Sequence, residues 1–595
     1  MNVGLFLTGQ TGSASATGSG TIYVTENASI KTSNNMVVGR NAAKGYFYLQ
    51  GGSVNSGGNF YVGFANDFRE TNYGYVEQTG GDWSVVGSLE VGGAALVNNS
   101  YGTGEYLLKN GTVSTKDFIV GCRGGVGTFT LEGGEVTVTS GNMVIGLYEN
   151  GQTATMGSGT VKQSGGTLTL GTGSGILYIG GYTPLNNSRG KGTYEYSGGT
   201  LNVGEVILGA WLGDGTLNVT NGSLTLPKLT VGGSLDSASE LNVSGGELTV
   251  QSLNRGVNQL TVSGDGVLNI VGNYAHRDNG SRNVDVSGGK LNVTGQFDIA
   301  GTTVQFSGGE HSVGQLRSVS SGLATTLNLV GDVKLHVGRV AFVQANAETT
   351  KINWYATSAG FPTIVSATND PTTSGLSDAF AGTHTAKVGG GVALMKESGW
   401  TLFSAIKEQD NTGASASNVI VTDSHVWKMD KTWDSVEDNG DLTNFKISAW
   451  LDPAAKSGEL EIAANTYETL RLEESREYGW IEFTNNTDSL QNYMISLELV
   501  GLDETSTLEA VLAWMEENGE GNVESDGVNH LLLSGLSLMS GETNFLAWDF
   551  ADFNALMGGE VAVGSVTAMA VPEPATWFLL GLGLMGLFWS RKRKS

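Results

Sequence analysis

Apolar and polar residues alternate in short runs along the first half of the chain, and many of these runs stop at a glycine doublet. The stretch GTYEYSGGTLNVGEVILG, residues 192–209, shows one complete repeat: an apolar pair, Gly-Gly, a second pair and then a third. Alternation with a period of two places each pair on one face of a strand, and glycine readily forms the turn between strands. The pattern therefore predicts three short β-strands in each repeat.

These repeats occupy residues 45–315 at a spacing of roughly 20 to 33 residues. Three short strands are too few to bury a core alone, so the repeats must stack on one another. We therefore predict a parallel β-helix over residues 1–340, with about 12 or 13 coils that each advance ~4.8 Å. A β-sandwich or a propeller is the alternative fold, although propeller blades usually need ~40 residues or more.

The second half of the chain follows a different pattern. The alternation is loose over residues 341–430, and we interpret this segment as a cap or transition. Residues 431–570 contain further alternating runs, and their spacing predicts a β-sandwich-like domain. One helix interrupts these runs, since Ser506 and Glu509 form a capping box beside an apolar stripe. The stripe consists of Leu508, Val511, Leu512 and Met515.

Charge divides the chain at nearly the same place. Residues 1–340 hold 18 Lys and Arg against 23 Asp and Glu, whereas residues 341–590 hold 10 against 35. So acidic a surface argues against nucleic acid as a partner, because phosphates attract Lys and Arg. It favours weak association of Ca²⁺ with the acidic domain, and we predict no resident cofactor or metal.

The chain has a single cysteine, Cys122, which excludes an intramolecular disulfide and a cysteine metal cluster. It follows the apolar residues Ile119 and Val120. We predict a small buried or turn residue at this position rather than a nucleophile.

Candidate catalytic residues are sparse. Asp285 and Asp298 are the nearest approach to a carboxylate pair on the predicted coils. A β-helix enzyme that cleaves acidic polysaccharides needs several converging carboxylates and a Lys or Arg beside the substrate. The predicted outward positions, such as Thr130, Ile207 and Asn242, are mostly small and uncharged. We therefore predict no enzyme, with a polysaccharide lyase or hydrolase that uses the aspartates as the alternative.

Two further segments have side chains that suit a ligand. The run DSVEDNGD, residues 434–441, supplies oxygen donors for Ca²⁺, but Ser435 would occupy the first position of an EF-hand loop. We expect a solvated acidic turn. Trp548, Phe550 and Phe553 would form a stacking surface for sugar rings if they were exposed, although buried aromatic residues are commoner. A carbohydrate-binding surface protein is a further alternative.

The last 25 residues combine a stiff segment, an apolar segment and a basic end. Pro572, Glu573 and Pro574 form the stiff segment, which a helix cannot easily cross. The uncharged run 575–589 would form a transmembrane helix ~22 Å long, which is short beside the usual ~20-residue span. The basic cluster at the end favours the cytoplasmic face, so the body would lie outside the inner membrane. That cluster consists of Arg591, Lys592, Arg593 and Lys594.

This arrangement resembles the PEP-CTERM sorting signal of Gram-negative bacteria, with Pro572, Glu573 and Pro574 at the positions of its motif. The resemblance is confined to the C-terminal tail. It implies recognition by an exosortase-type membrane protease, a transient stay in the inner membrane, removal of the tail and delivery to the cell surface or extracellular matrix. An ordinary C-terminal membrane anchor is the alternative.

The repeats themselves resemble the β-strand repeats of autotransporter passenger domains, over roughly residues 20–340. An autotransporter ends in a membrane barrel with strands of ~10 alternating residues. The second half of this chain is too short and too acidic for such a barrel. The sorting tail takes its place.

The first residues, MNVGLFLTGQTGSASATG, contain no early Lys or Arg, and their apolar stretch is too short for a signal peptide. Since the tail implies export, we expect a chain that begins inside a longer protein or a start site placed wrongly. Together the features predict a secreted, surface-sorted structural or adhesive protein. Its expected partners are the exosortase and an extracellular polysaccharide or matrix component.

Overall fold

The computed structural model describes most of the chain up to residue 571. The described ranges are 2–3, 6–10, 18–40, 43–65, 71–94, 101–147, 156–182, 189–232, 238–275, 283–318, 323–342, 349–357, 360–366, 382–389, 392–408, 419–436, 442–462, 467–487, 490–503, 507–517 and 523–571. They form two compact units, the first within residues 1–346 and the second from 347 onward together with 306–308 and 327–335. The division near residue 340 stays a prediction of the sequence.

Short strands account for nearly all the regular structure of the first unit. Its strands are β1 (Asn2–Val3), β2 (Phe6–Gln10), β3 (Ser19–Val24), β4 (Ser29–Thr32), β5 (Met36–Arg40), β6 (Lys44–Leu49), β7 (Ser53–Ser56), β8 (Phe60–Ala65), β9 (Thr71–Gln78), β10 (Asp82–Ala94), β11 (Tyr101–Leu108), β12 (Thr112–Cys122), β13 (Val126–Leu131), β14 (Glu135–Val138), β15 (Asn142–Leu147), β16 (Ser158–Gln163), β17 (Thr167–Leu170), β18 (Ile176–Ile179), β19 (Lys191–Tyr196), β20 (Thr200–Asn202), β21 (Glu205–Leu208), β22 (Asp214–Val219), β23 (Ser223–Leu226), β24 (Leu229–Val231), β25 (Ser239–Val243), β26 (Glu247–Val250), β27 (Gln259–Ser263), β28 (Val267–Ile270), β29 (Tyr274–Ala275), β30 (Asn283–Ser287), β31 (Lys290–Asp298), β32 (Thr303–Ser307) and β33 (Glu310–Ser318). Residues of β32 belong to both units.

Successive strands of the first unit form coils, each of which returns to the same sheet. The first strands of the coils pair in parallel in one sheet, in the order β3, β6, β9, β11, β13, β16, β19, β22, β25, β27 and β30. The second and third strands pair in the same way, β14 with β17 and β15 with β18. The protein is thus all-β with long parallel sheets, consistent with the predicted parallel β-helix.

The interior of the first unit is built from columns of apolar residues. Val219, Val243 and Val262 are in register on β22, β25 and β27, and all three are fully buried. Asn218 and Asn242 alternate with them and face outward, where the Asn242 side-chain amide donates to Asn218 Oδ1 over 2.9 Å. The alternation predicted from the sequence is therefore confirmed for these strands.

Buried glutamines interrupt the apolar columns. The Tyr106 hydroxyl donates to Gln78 Oε1 over 2.6 Å, and Gln78 Nε2 donates to the carbonyls of Gly81 and Thr112. The Tyr194 hydroxyl and Gln163 repeat this arrangement. Each buried amide is thus satisfied by the next coil, as a polar group in a core requires.

Several coils make a close backbone contact near the end of their third strand. Gly121 has φ 70°, and a Cβ atom there would lie 2.0 Å from the Ser158 carbonyl oxygen on β16. A Cβ atom at Gly159 would lie 2.0 Å from the Val120 carbonyl oxygen. Only glycine fits on both sides of this contact.

The third strands are apolar on both faces. The sequence analysis placed Ile207 outward among small, uncharged residues, but its side chain is 6% exposed. Val144, Tyr178 and Ile207 are in register on β15, β18 and β21 and belong to a buried cluster that includes Cys122. The outward side chains of this cluster are therefore covered. Cys122 is buried, as predicted.

Many of the strands that follow have seven to ten residues. They are β34 (Thr325–Val330), β35 (Lys334–Phe342), β36 (Thr350–Ala356), β37 (Thr363–Ser366), β38 (Gly382–Val388), β39 (Val392–Met395), β40 (Gly399–Glu408), β41 (Val419–Thr422), β42 (Trp427–Val436), β43 (Leu442–Leu451), β44 (Lys456–Ile462), β45 (Tyr467–Arg476), β46 (Tyr478–Asn485), β47 (Gln491–Val500), β48 (Val523–Ser525), β49 (His530–Leu538), β50 (Thr543–Asp549) and β51 (Ala562–Val571). The helices are α1 (Leu508–Glu517) and α2 (Ala551–Met557), with a short 3-10 turn at Pro453–Ala455.

Parallel pairing continues inside the second unit. β36 pairs with β38 and β38 with β41, all in parallel, so the predicted cap or transition segment contains strands of the coil type. The remaining strands include a four-stranded sheet, β39-β50-β46-β44, and a five-stranded sheet, β45-β51-β47-β49-β48. Ile481 and Phe483 of the first sheet and Ile495 and Val566 of the second belong to one buried cluster. The sandwich-like character of this region stays a prediction.

Helix α1 buries the predicted stripe, since Leu508, Val511 and Met515 belong to the same cluster. Its capping residue differs from the predicted one. The Ala510 amide donates to Thr507 Oγ1 over 3.2 Å, so Thr507 takes the position assigned to Ser506, which lies outside the described residues.

Candidate functional site

The sorting tail lies outside the described residues, but the strand before it is described. Pro572, Glu573 and Pro574, the apolar segment 575–589 and the basic cluster all follow the last described residue. Strand β51 is paired on both sides, with β45 up to Met569 and with β47 up to the backbone of Val571. The predicted motif therefore begins one residue after a strand in the middle of a sheet.

The membrane segment of the tail is not tested by the structure. Within the ranges that the structure describes, no helix has the length and apolar character needed to cross a membrane. The predicted helix falls beyond these ranges.

The two candidate catalytic aspartates occupy different sheets. Asp285 lies on β30, which pairs with β27, and Asp298 lies on β31, which pairs with β28 and β33. Burial raises the pKa of Asp285. The Asp298 carboxylate accepts the Ala300 amide over 3.2 Å and lies 3.3 Å from Arg317 Nε. The surroundings of Asp298 are those of a carboxylate that fixes a turn and pairs with an arginine.

The aromatic residues near the C-terminus form no exposed stacking surface. Trp548, Phe550 and Phe553 are fully buried, and Trp548 Nε1 donates to the Arg476 carbonyl over 3.0 Å. The hypothesis that they bind sugar is therefore wrong. Their apolar side chains fill the core around α2 instead.

The acidic run 434–441 is not described well enough to test the expected turn, because residues 437–441 lie outside the described ranges. Where side chains are described, no three His, Cys, Asp or Glu residues come together to hold a metal ion. His311 accepts the Leu291 amide through Nδ1, which is a structural role inside the coil.

A cluster of charged residues that the sequence pattern did not indicate lies beside α2. Lys387 Nζ lies 2.8 Å from Asp552 Oδ2, and His425 Nδ1 lies 3.2 Å from Asp549 Oδ2. Burial raises the pKa of Asp549, although His425 opposes this shift. Asp549 also accepts the Ala551 amide at the start of α2. These contacts hold the helix against the strands, which accounts for the cluster structurally.

A shallow groove of about 460 Å³ runs along the outward face of the first-strand sheet. Thr130, Lys162, Glu195, Asn218 and Asn242 line it from five successive coils. Hydroxyl groups of the adjoining turns complete its wall. Its lining is therefore that of a hydrophilic groove with one acid and one base, which lie 3.6 Å apart.

Five tyrosines lie on the outward face of the same sheet, in its first three coils. We call this set, Tyr23, Tyr46, Tyr48, Tyr73 and Tyr75, the tyrosine patch. The Tyr23 ring is 62% exposed and stacks on Tyr48 with ring centres 4.8 Å apart. The sequence signal was the segments YFY and YGY, which lie on the first strands of neighbouring coils.

Comparison with known proteins bears on the tail alone. Residues 570–593 match the model of the PEP-CTERM protein-sorting motif. No curated protein and no solved structure matches the chain significantly. The resemblance of the repeats to autotransporter passenger domains stays a prediction. The motif indicates export, membrane-associated sorting and processing by an exosortase. The resemblance seen at the C-terminus is thus confirmed, and this chain carries a PEP-CTERM sorting motif.

Proposed function

We propose that the chain is a non-catalytic structural or adhesive protein of the cell surface or extracellular matrix. The exosortase would remove its tail after a transient stay of the C-terminal helix in the inner membrane. The observation that carries the proposal is the matched sorting motif at residues 570–593. The long parallel stack before it supports a role in which an extended surface is presented.

The junction between body and tail suits such processing. Val571 is the last residue of β51, and Pro572 follows it directly. Proline has no amide hydrogen for a sheet ladder, so the pairing of β51 cannot extend unchanged into the tail. Cleavage beyond this point would leave the five-stranded sheet whole.

The sorting proposal is tested in a host with a matching exosortase. Glu573→Ala, or deletion of residues 572–574, should leave unprocessed protein in the inner membrane, whereas the wild type should be processed and reach the surface. The matched control is Glu560→Ala, which changes an exposed glutamate upstream of β51 and outside the motif. Equal surface yield from Glu573→Ala and the wild type would refute the proposal.

The lyase or hydrolase alternative is tested separately. Purified protein should release neither reducing ends nor unsaturated products from acidic and neutral polysaccharides. Turnover that survives repurification and is lost in Asp285→Asn or Asp298→Asn would instead establish an enzyme. The half-buried position of Asp285 on β30 is the observation that keeps this alternative worth testing.

A further inference from the structure

We propose that the tyrosine patch is a binding site for a neutral polysaccharide chain. This inference rests on the proposed surface role, for which it names the class of partner. The patch lies entirely within the first unit, on strands β3, β6 and β9.

The geometry of the strands places all five rings on one face. Tyr46 and Tyr48 are two residues apart on β6, and the residue between them, Phe47, is fully buried. Tyr73 and Tyr75 have the same relation on β9. Since side chains of a strand alternate between its faces, these tyrosines point outward together.

The rings of the patch are open to a ligand. Tyr23 is in register with Tyr48, and their planes differ by 11°, so each covers one face of the other. The exposure of Tyr23, 62%, leaves its second face open. The ring planes of Tyr46 and Tyr75 are inclined by 53°, with ring centres 6.4 Å apart. Aromatic faces of this kind stack on the apolar C–H face of a sugar ring.

Carboxylates at the patch supply the polar half of a sugar site. The Tyr75 hydroxyl donates to Glu77 Oε2 over 3.1 Å, and Lys109 Nζ donates to the other oxygen of Glu77 over 2.8 Å. Burial raises the pKa of Tyr73, and the Glu105 carboxylate adds to this shift. Burial and Glu77 raise the pKa of Tyr75 to about 12. The phenol groups are thus neutral at physiological pH, while the glutamates remain strong acceptors.

Charge selects the kind of polysaccharide. Carboxylate oxygens accept short, strong hydrogen bonds from hydroxyl groups, which a neutral sugar has in abundance. A polyanionic chain would find no net positive charge here, because Glu77 and Glu105 match the lysines of the patch in number, and residues 1–340 are slightly acidic, with 23 acids against 18 bases. Two lysines lie at the patch: Lys109 is paired with Glu77, and Lys44 is in register with Tyr73 on the neighbouring strand. The complementary ligand is therefore uncharged and rich in hydroxyl groups.

The patch continues into the groove described above. One outward column leads from Tyr48 through Glu77 and Leu107 to Thr130, the first residue of the groove lining. Successive coils repeat at ~4.8 Å, close to the length of one hexose in an extended chain. A polymer that lies along the column would meet a new set of side chains with each sugar.

The test uses the purified full chain in mild detergent and affinity electrophoresis in gels that contain one polysaccharide. Hydroxyethyl cellulose, dextran and galactomannan are the neutral probes, and alginate is the acidic one. We expect retardation by at least one neutral probe and little by alginate. The double variant Tyr23→Ala/Tyr48→Ala should weaken the retardation about tenfold, because two stacking faces are lost.

Three controls separate binding from stability. Tyr23→Phe/Tyr48→Phe keeps both rings and should retain most of the binding. Tyr478→Ala removes a ring of 40% exposure in the second unit and should bind as the wild type does. Thermal unfolding of every variant shows whether the coils remain folded.

Several outcomes would overturn the inference: no retardation by any neutral probe, stronger retardation by alginate, or unchanged binding by the folded alanine double variant. Processing and surface delivery in the exosortase host are measured on the same variants. If the protein is sorted normally but binds no glycan, the inference is wrong and the proposed function stands. If the protein binds a glycan but is not sorted to the surface, the proposed function is wrong and the binding site stands.

Discussion

Neighbouring residues on β25 occupy opposite environments, which gives a direct test of register. Val243 is fully buried, whereas Asn242 faces outward and bonds to Asn218. Val243→Asp should lower the free energy of unfolding by about 3–5 kcal/mol, because apolar burial is lost and a charge is left unpaired in the core. Asn242→Asp should cost less than about 1 kcal/mol.

Chemical denaturation of both variants measures the difference. Leu248→Asp, at another fully buried position, should behave like Val243→Asp. Equal losses at positions 242 and 243 would contradict the register of the coil.

Asp285 gives a prediction for pH dependence. Burial raises its pKa, so the folded state favours the protonated form. Its contribution to stability is therefore fully present below the unfolded pKa of about 3.9 and is lost as the pH rises through the higher folded value. Asp285→Asn should be more stable than the wild type at neutral pH, by less than about 1 kcal/mol at this half-buried position.

The gain should disappear near pH ~3, where the wild-type carboxyl is protonated in both states. Thermal unfolding of the two proteins at neutral and acid pH measures it. A variant less stable than the wild type at neutral pH would mean that the native carboxylate is stabilised by its surroundings, which contradicts the direction of the shift.

At the scale of elements, the turns and close contacts of the coils depend on glycine for two separable reasons. Gly121 has φ 70° and the Ser158 carbonyl 2.0 Å from where a Cβ would lie, whereas Gly173 has φ 85° and nothing within 4 Å of that position. Gly173→Ala should cost only the left-handed backbone conformation, about 1–2 kcal/mol. Gly121→Ala adds a clash between two backbone segments and should cost at least about 3 kcal/mol in total.

Both alanine variants are compared by denaturant unfolding, so that the shared conformational cost cancels. If the two variants lose similar free energy of unfolding, the backbone segments at Gly121 move apart at no cost, which contradicts the expected clash.

The sequence predicted the strands of the coils because alternating side chains directly report which face is buried. Leu and Val at positions such as 243 and 248 were assigned correctly for this reason. The contact at Gly121 was not predicted, since a pattern of side chains does not report how close two backbones approach. Buried Gln78 and Gln163 were missed because their hydrogen-bond partners come from other coils.

Functional sites could be predicted only where their residues follow one another in the chain. The sorting motif was recognisable because it is a continuous segment of the chain. Trp548 and Phe553 were considered as a binding surface because sequence alone does not report exposure, and both are buried. The tyrosine patch was missed although Tyr46 and Tyr75 occupy the same position in successive repeats, since its significance depends on a shared outward face.

At the scale of the whole molecule, the last described strand, β51, is needed to complete a sheet of the second unit. Strand β51 lies between β45 and β47 in the five-stranded sheet, yet it is the last described segment before the tail. The sheet is complete only when residues 562–571 are available for pairing on both sides. The five-stranded sheet therefore cannot be completed until the segment next to the sorting motif has been synthesised.

The uneven charge of the chain leads to a prediction about divalent cations. Residues 341–590 hold 35 acids against 10 bases, whereas residues 1–340 hold 23 against 18. Repulsion among these carboxylates lowers the stability of the second half, and Ca²⁺ or Mg²⁺ reduces it by accumulating near them. Where the structure describes side chains, no three ligating residues converge, so the expected response is diffuse and weak.

Millimolar Ca²⁺ should therefore raise the melting temperature of the second-half transition by about 2–4 °C, and the first-half transition by much less. Differential scanning calorimetry of the full chain measures both, and the Val243→Asp variant identifies the first-half transition by shifting it. The control is sodium chloride at the same ionic strength. Divalent ions bring more charge to a crowded set of carboxylates than monovalent ions do, so sodium should produce a smaller shift. If the two salts give equal shifts, the effect is general screening by salt, and cation association with the acidic half is refuted.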